Sequence, residues 1–553
     1  MHLHPIWLRI LLFVPIISAT SHQLQAQETP LPATEFTRHD TLRGKLTAFR
    51  SCYDVRFYDL SLRIDPERQY ISGSNTIHFE VEEDFTTLQV DLFSNLSIDS
   101  ILFRGEQLRY VRDSNATFVT FPKRQIAGTR DQFTVYYQGA PVVANNPPWD
   151  GGFVWSRDSA GNPWVGVACE GMGASAWWPN KDHLSEEPDS MRMHFEVPEA
   201  LMCVSNGTLR KAENLNDGYI RFTWFVHYPI NNYNVSVNIA MYDHFSDSMI
   251  SGDESLQLDY YVLPDNLEKA KQHFQQVKPM MDCFEKWFGP YPFPKDGYAL
   301  VETPYWGMEH QGAIAYGNNY VNNRFGFDFI IIHESGHEWF GNSLTVADHA
   351  EMWLHEGFTT YTEAIYLECT QGMQRAEDYL MMQRGYIASQ EPLIGPLDVN
   401  FHRWQKGTDI YYKGTWILHT LRNVLDDDSL WHRLLYEWAT RLRHQTVTTR
   451  IWVDFVNEKT GKDFSAFFDQ YLRQDHLPVL VYKLQRRWGK LRIRYRWEAG
   501  AEDFAMPVNA IAGNEAFLLQ PVTTGWTRQK LGKAKRQEFS VPEEKYLIRL
   551  LEE

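Results

Sequence analysis

The sequence predicts a multidomain α+β protein: an N-terminal β-sandwich over residues 51–250, a mainly helical unit over 251–478 and a small β-sandwich over 479–553. Three observations carry this. Apolar residues alternate with period two from Tyr53, switch to helical spacing near Asp265, and return to period two after residue 479. A chain of 553 residues, at about 150 per domain, has room for three or four such units.

The elements follow in order. Residues 1–26 hold an apolar run, Ile6 to Ala19, interrupted by Arg9 and Pro15 and too short to span a bilayer comfortably. Leu24-Gln25-Ala26 offers a small-residue cleavage site, so this stretch reads as a secretory signal. No later stretch looks transmembrane. The expectation is an exported protein, periplasmic or secreted, with no stable membrane insertion. Residues 27–50 are polar and irregular and read as a linker.

In the first β unit Leu60, Leu62 and Ile64 alternate with Ser61 and Arg63, and Ile77, Phe79 and Val81 alternate with His78 and Glu80. Asn145 to Gly152 is a loop. Leu267, Ala270, Phe274, Val277, Met281 and Phe284 then fall at helical spacing behind Asp265, and Gly289-Pro290 ends that helix. Ile417, Leu418, Leu421 and Leu425 mark another amphipathic helix. In the tail, Leu491, Ile493, Tyr495 and Trp497 alternate with Arg492, Arg494 and Arg496, and Trp488-Gly489-Lys490 signals a hairpin. Three arginines on a strand's outer face read as solvated rather than as a polyanion surface.

Composition narrows the function. With 43% hydrophobic and 14% aromatic residues the chain can bury large cores, which excludes disorder. A formal charge of −17 excludes general affinity for nucleic acid and suits substrates carrying an ammonium group. Five scattered cysteines with no C-x-x-C exclude a disulfide framework and a cysteine-ligated zinc site. One or two bridges stay open; buried free thiols are favoured.

The chemistry concentrates in Phe329 to Asn342, which reads as a buried helix carrying H-E-x-x-H. His333 and His337 lie one turn apart on one face, so each can give a ring nitrogen to a single ion. Glu334 can reach the ion's open side as a general base. Glu356, nineteen positions after His337 in Trp353-Leu354-His355-Glu356-Gly357, supplies a third ligand from the next helix. Two imidazoles and a carboxylate leave a fourth position for water, the pattern of a catalytic rather than a structural zinc site. Ordinary buried polar residues are the alternative, and the second motif at this distance argues against it.

These residues resemble the aminopeptidase N family of zinc metallopeptidases, of gluzincin type and related to the leukotriene-epoxide hydrolase. Trp306-Gly307-Met308-Glu309-His310 resembles its G-x-M-E-N signature, and Tyr411-Tyr412-Lys413-Gly414 its Y-x-K-G signature. The resemblance implies a saddle-like N-terminal β domain and a thermolysin-like catalytic domain. It implies one Zn2+ per chain on His333, His337 and Glu356, and Glu334 as base. Tyr411 would stabilise the oxyanion. Glu309, with Gly307 and Met308, would bind substrate and pair with its free α-ammonium. Glu170, in Ala168-Cys169-Glu170, would be a second amine contact. His310 departs from the motif's asparagine and Trp306 from its first glycine. The chain would be a short form without the large helical C-terminal domain, and its site correspondingly open.

Tyr412 competes with Tyr411 for the oxyanion role. Glu363 lies near the face of Glu356 and either orients a ligand histidine or is a solvated carboxylate. His349, His355, His402 and His419 lack ligand spacing and read as structural. The leading expectation is a zinc aminopeptidase acting on peptides with a free N-terminus. The rivals are an endopeptidase or epoxide hydrolase on the same machinery, or a catalytically silent binding protein.

Overall fold

The computed structural model describes residues 36–400 and 407–553, so the secretory signal read over 1–26 and the residue His402 lie outside it. The stretch read as a linker is folded where it is described. It forms α1 (Arg38–Gly44), opened by a Thr37/Asp40 capping box, and α2 (Ala48–Ser51). Its polarity serves buried pairing rather than solvation: Arg50 is fully buried and ion-paired with Asp91.

The N-terminal β unit centres on an eight-stranded sheet. Its strand Tyr53–Asp65 pairs antiparallel with Tyr70–Val81 and parallel with Ser190–Pro198. Leu60, Leu62 and Ile64 are buried there, as the alternation requires. A three-stranded sheet faces it: Phe85 and Phe121 from the smaller sheet meet Phe79, Phe103 and Phe133 from the larger, with ring centroids 4.9–6.1 Å apart. A four-stranded sheet carries Pro163–Ala168, the strand that leads to Glu170.

The boundary expected at 250/251 falls inside a hairpin. Asp243–Ser251 pairs with Glu254–Val262, and both belong to a five-stranded sheet completed by Tyr298–Glu302, Gly307–Met308 and Ile314–Tyr316. The unit that carries the site therefore begins near Asp243. Every residue of Tyr298–Glu302 and Ile314–Tyr316 is buried, so these strands show no alternation and pass for helix in a pattern reading.

The helices that follow are α3 (Leu267–His273), α4 (Val277–Phe288), α5 (Phe329–Gly336), α6 (Trp353–Gln371), α7 (Met373–Arg384), α8 (Asp409–Leu425), α9 (Asp428–Arg441), α10 (Thr449–Thr460) and α11 (Ser465–Arg473). The single helix expected from Leu267 onward is split into α3 and α4 by a 3-10 turn at Phe274–Gln276. Cys283 on α4 and Cys369 on α6 form a disulfide, while Cys52, Cys169 and Cys203 are buried free thiols. Among the described residues no helix is long and apolar enough to cross a membrane.

α6 and α8 touch backbone to backbone. A Cβ on Gly357 would lie 2.8 Å from the Cα of Gly414, and the reverse substitution meets the same 2.8 Å. Only glycine at both positions permits this crossing. It brings Glu356, just before Gly357, beside Tyr411, one turn before Gly414.

In the tail, Val479–Arg487 and Lys490–Glu498 form the expected hairpin, and its two turn residues Trp488 and Gly489 have φ of 56° and 70°. Four- and three-stranded sheets make up this region, with Leu491, Ile493, Tyr495 and Trp497 buried.

Candidate active site

α5 starts where Asp328 accepts from the backbone N–H groups of Ile330 and Ile331. Asp328 is itself buried and takes hydrogen bonds from Tyr316 Oη at 2.8 Å and Asn318 Nδ2 at 2.9 Å. Ile330, Ile331 and Ile332 are all buried, as are His333, Glu334 and Ser335, so the helix sits in the core. Regular helix ends at Gly336, earlier than expected. The next turn still closes, with His337 N–H on His333 O at 3.3 Å, and keeps both histidines on one face.

His333 Nε2 and His337 Nε2 lie 3.4 and 3.5 Å from Glu356 Oε2, and one donor atom from each residue falls within 4.8 Å of the others. Glu356 Oε2 is buried and has no hydrogen-bond partner. That orphaned oxygen between two aromatic nitrogens fits a divalent cation of zinc type. Burial raises the Glu356 pKa, yet the two histidines beside it bring it down to about 2. Burial lowers His333 and His337, and the neighbouring carboxylates outweigh it and raise both.

The outer nitrogens are spoken for. Nδ1 of His333 pairs with Glu363 Oε1 at 2.7 Å, and Glu363 Oε2 accepts from Tyr379 Oη at 2.5 Å and Gln383 Nε2 at 3.1 Å. Glu363 is thus an orienting acceptor and not a solvated carboxylate. His337 Nδ1 donates to Phe340 O at 3.0 Å. Both imidazoles are left with Nε2 facing Glu356.

Glu334, Glu309 and His337 also place one donor atom each within 4.8 Å of one another, on the open side of the triad. Burial pushes the Glu334 carboxyl up to about 7, against the pull of His333 and His337. Gly307 runs close beside it: a Cβ there would stand 2.8 Å from Glu334 Oε1 and 2.8 Å from Ile330 Cγ2. Glu309 Oε1 accepts from Tyr233 Oη at 2.9 Å, and Asn342 Nδ2 holds the Glu309 carbonyl at 2.9 Å. Glu170 Oε1 is buried without a partner, and burial followed by the charge of Glu309 raises its pKa well above the carboxylate range.

Glu170, Glu309, Glu334, His333, His337 and Glu356 line one cleft of about 190 Å³, together with Met308, Trp149, Trp306, Phe329 and Tyr411. The cleft carries four carboxylates, Glu170, Glu309, Glu334 and Glu356, and no lysine or arginine among its described residues. The Tyr411 ring lies 6.1 Å from that of His333, whereas Tyr412 packs against Tyr386 at 5.5 Å, which favours Tyr411 for the oxyanion role. Lys413 turns away to the Gln474 carbonyl. His355 Nε2 accepts from Val346 N–H and His419 Nε2 bonds the Glu544 carbonyl, so both are structural.

Some contributors escaped the sequence reading. Glu338 follows His337 directly and is buried, accepting from Gly312 N–H and Tyr291 Oη at 2.9 Å each. Its place beside H-E-x-x-H was a usable signal, as was that of Asn342. Tyr233 carried none, since 76 positions separate it from Glu309.

A family model described as the peptidase family M1 domain matches residues 272–471. Endoplasmic reticulum aminopeptidase 1 of Mus musculus is 26% identical over 246 residues, 41% of this chain and 26% of that protein. Aminopeptidase N of Mus musculus is 22% identical over 445 residues, 70% of this chain and 46% of that protein. The chain thus spans between about a quarter and a half of the length of these curated relatives. The M1 zinc metallopeptidase of Deinococcus radiodurans has the same fold, with a TM-score of 0.65 at 20% identity, over 77% of this chain and 94% of that one. A mutant of that protein was solved with a Tyr-Ser-Ala substrate. The resemblance to the aminopeptidase N family is borne out.

Proposed function

We propose, from the premise that the catalytic unit is a peptidase family M1 domain, that this chain is a zinc aminopeptidase which removes the N-terminal residue of peptides. His333, His337 and Glu356 would hold one Zn2+, and Glu363 and the Phe340 carbonyl fix the two rings. The ion supplies Lewis acidity at the scissile carbonyl and to the attacking water. Glu334 takes that water's proton and returns it to the leaving amine, a role open to a carboxylate beside the ligand histidines on a buried cleft wall. Tyr411 donates its hydroxyl to the developing oxyanion. Glu309 and Glu170 take the substrate's α-ammonium by charge-assisted hydrogen bonds.

One observation carries the reading: two buried carboxylates, Glu309 and Glu170, beyond the ligand set and the base Glu334, in a cleft with no described lysine or arginine. An ammonium group at the end of a chain supplies what they lack, and that fixes cleavage one residue in. The experiment is a panel of chromogenic aminoacyl amides assayed with and without a chelator, alongside elemental analysis for one zinc per chain. Cleavage should stop with chelator and with N-acetylated substrates. Retained cleavage of acetylated peptides would make the enzyme an endopeptidase.

Export to the periplasm or outside the cell is part of the same proposal. The Cys283–Cys369 bridge fits an oxidising compartment. Cell fractionation tests it, and a cytosolic pool with reduced cysteines would reject it.

A further inference from the structure

The cleft ends in an aromatic wall that the chemistry just described does not use. The ring of His333 stacks on Phe329 at 5.1 Å, Phe329 stacks on Trp306 at 5.3 Å, and Trp306 meets Trp149 at 5.9 Å. Trp149 and Trp306 are 40% and 41% exposed, in a protein that buries most of its other tryptophans. Trp306 does not swing freely, because its Nε1–H donates to Asn318 Oδ1 at 3.0 Å. Trp149 comes from the Asn145–Gly152 loop of the N-terminal β unit and Trp306 from the segment leading into Gly307–Met308.

Position along the cleft says what the wall would touch. Of the two ligand histidines, His337 is the one grouped with Glu309 and Glu334. His333 is the one that stacks on Phe329. The order is therefore amine anchor, His337, His333, Phe329, Trp306, Trp149. With the ammonium at Glu309 and the scissile carbonyl at the triad, whatever extends past His333 belongs to the departing part of the peptide. The described lining at this end, Pro148, Trp149, Trp306, Phe329 and Thr408, carries no charge. A flat, neutral, pre-positioned pair of indoles offers faces and edges to another ring.

We propose that Trp306 and Trp149 form the pocket for the residue immediately after the scissile bond, and that this chain prefers substrates with an aromatic side chain there. The inference rests on the aminopeptidase reading, and its test separates the two. Dipeptides Ala-Phe, Ala-Leu and Ala-Gly vary the second position; Phe-Gly and Leu-Gly vary the first. For the zinc-loaded full chain, kcat/KM for Ala-Phe should exceed that for Ala-Gly about tenfold, the scale of one good ring stack. The ratio should fall toward one in Trp306→Ala, chiefly through KM, and persist in Trp306→Phe. Trp149→Ala should reduce it by a smaller factor.

Binding reads the same preference without turnover. In the Glu334→Gln protein the Kd of Ala-Phe should be about tenfold below that of Ala-Gly, and Trp306→Ala should erase the difference. Equal affinities would overturn the proposal. So would a tryptophan-dependent preference that follows the first residue instead of the second. Absence of hydrolysis with the binding preference intact would count against the enzymatic reading and leave the pocket standing.

Discussion

Two clusters of buried charge lie back to back in this protein, across a small cavity lined by Arg43, Asp182 and Glu170. In the first, each acid faces a base. Arg50 pairs with Asp91, Arg43 with Asp182 at 3.2 Å, and Lys181 with Glu186, and backbone groups add further contacts to Lys181 and Glu186. Burial works to raise Asp182, and Arg43 with Ser175 and Arg50 holds it below its ordinary value. The second cluster, Glu170, Glu309, Glu334 and Glu356, has acids in the same degree of burial and no described lysine or arginine. The first cluster ties α1 and α2 to the β unit with its charges matched. The second is electrostatically unfinished, and on the proposed function a metal ion and a substrate ammonium would complete it. Burial of charge does not mark a functional site; burial of charge without its counter-charge does.

The comparison can be broken at either cluster. The largest effects come from its two extremes. Glu334→Gln should lower kcat by about 10²- to 10⁴-fold, with zinc content and thermal stability retained. Arg50→Met should do the opposite. It leaves Asp91 buried without its partner and costs about 3–5 kcal/mol of stability by denaturant titration, while kcat per folded molecule holds. If both variants lost activity and stability alike, the distinction would fail.

Smaller effects sharpen it. Glu363→Gln should weaken zinc affinity by about 10- to 100-fold in competition with a chromogenic chelator, because His333 loses its charged acceptor. Glu309→Gln should raise KM for free-amine substrates by about 10- to 100-fold, the worth of a hydrogen bond to a charged group.

The smallest effect is one of sign with pH, read in the metal-free protein. Glu170 has a folded pKa raised above 4.5. The folded state therefore binds more protons than the unfolded state above that pH, and the carboxyl erodes stability as pH rises. Glu170→Gln should gain on the parent above pH 4.5 by up to about 1.4 kcal/mol per pH unit until the folded pKa is reached. Asp182 has a folded pKa lowered below 3.8, so its contribution is present above pH 3.8 and disappears as pH falls through the folded value. Asp182→Asn should lose stability at neutral pH and converge on the parent in acid. Urea titrations at several pH values check both.

Much of the candidate site was legible in the sequence because its grammar is local. His333 and His337 are one turn apart, and Glu356 sits on the next long helix. Gly357 and Gly414 belong to two separate signatures, and only coordinates show that the signatures meet through them. Strands with one wet face announced themselves, as in Tyr53–Asp65 and Lys490–Glu498. The five-stranded sheet stayed hidden because two of its inner strands, Tyr298–Glu302 and Ile314–Tyr316, have no wet face. The folded strap at 38–51 was hidden for the converse reason: its polar residues looked solvated, and their partners, Asp91 and Asp182, are far along the chain. The Tyr233–Glu309 contact and the indole pair likewise join stretches that no pattern of spacing connects.

The meeting of Gly357 and Gly414 limits how this enzyme can change. With two main chains in direct contact, no intervening methyl group exists to be trimmed or enlarged. The bite between the Glu356 carboxylate and the Tyr411 hydroxyl is therefore not adjustable in single mutational steps. On the proposed function, diversity in what is cleaved must be acquired at the mouth of the cleft, where indoles and loops can be exchanged while the jaw itself keeps one gauge.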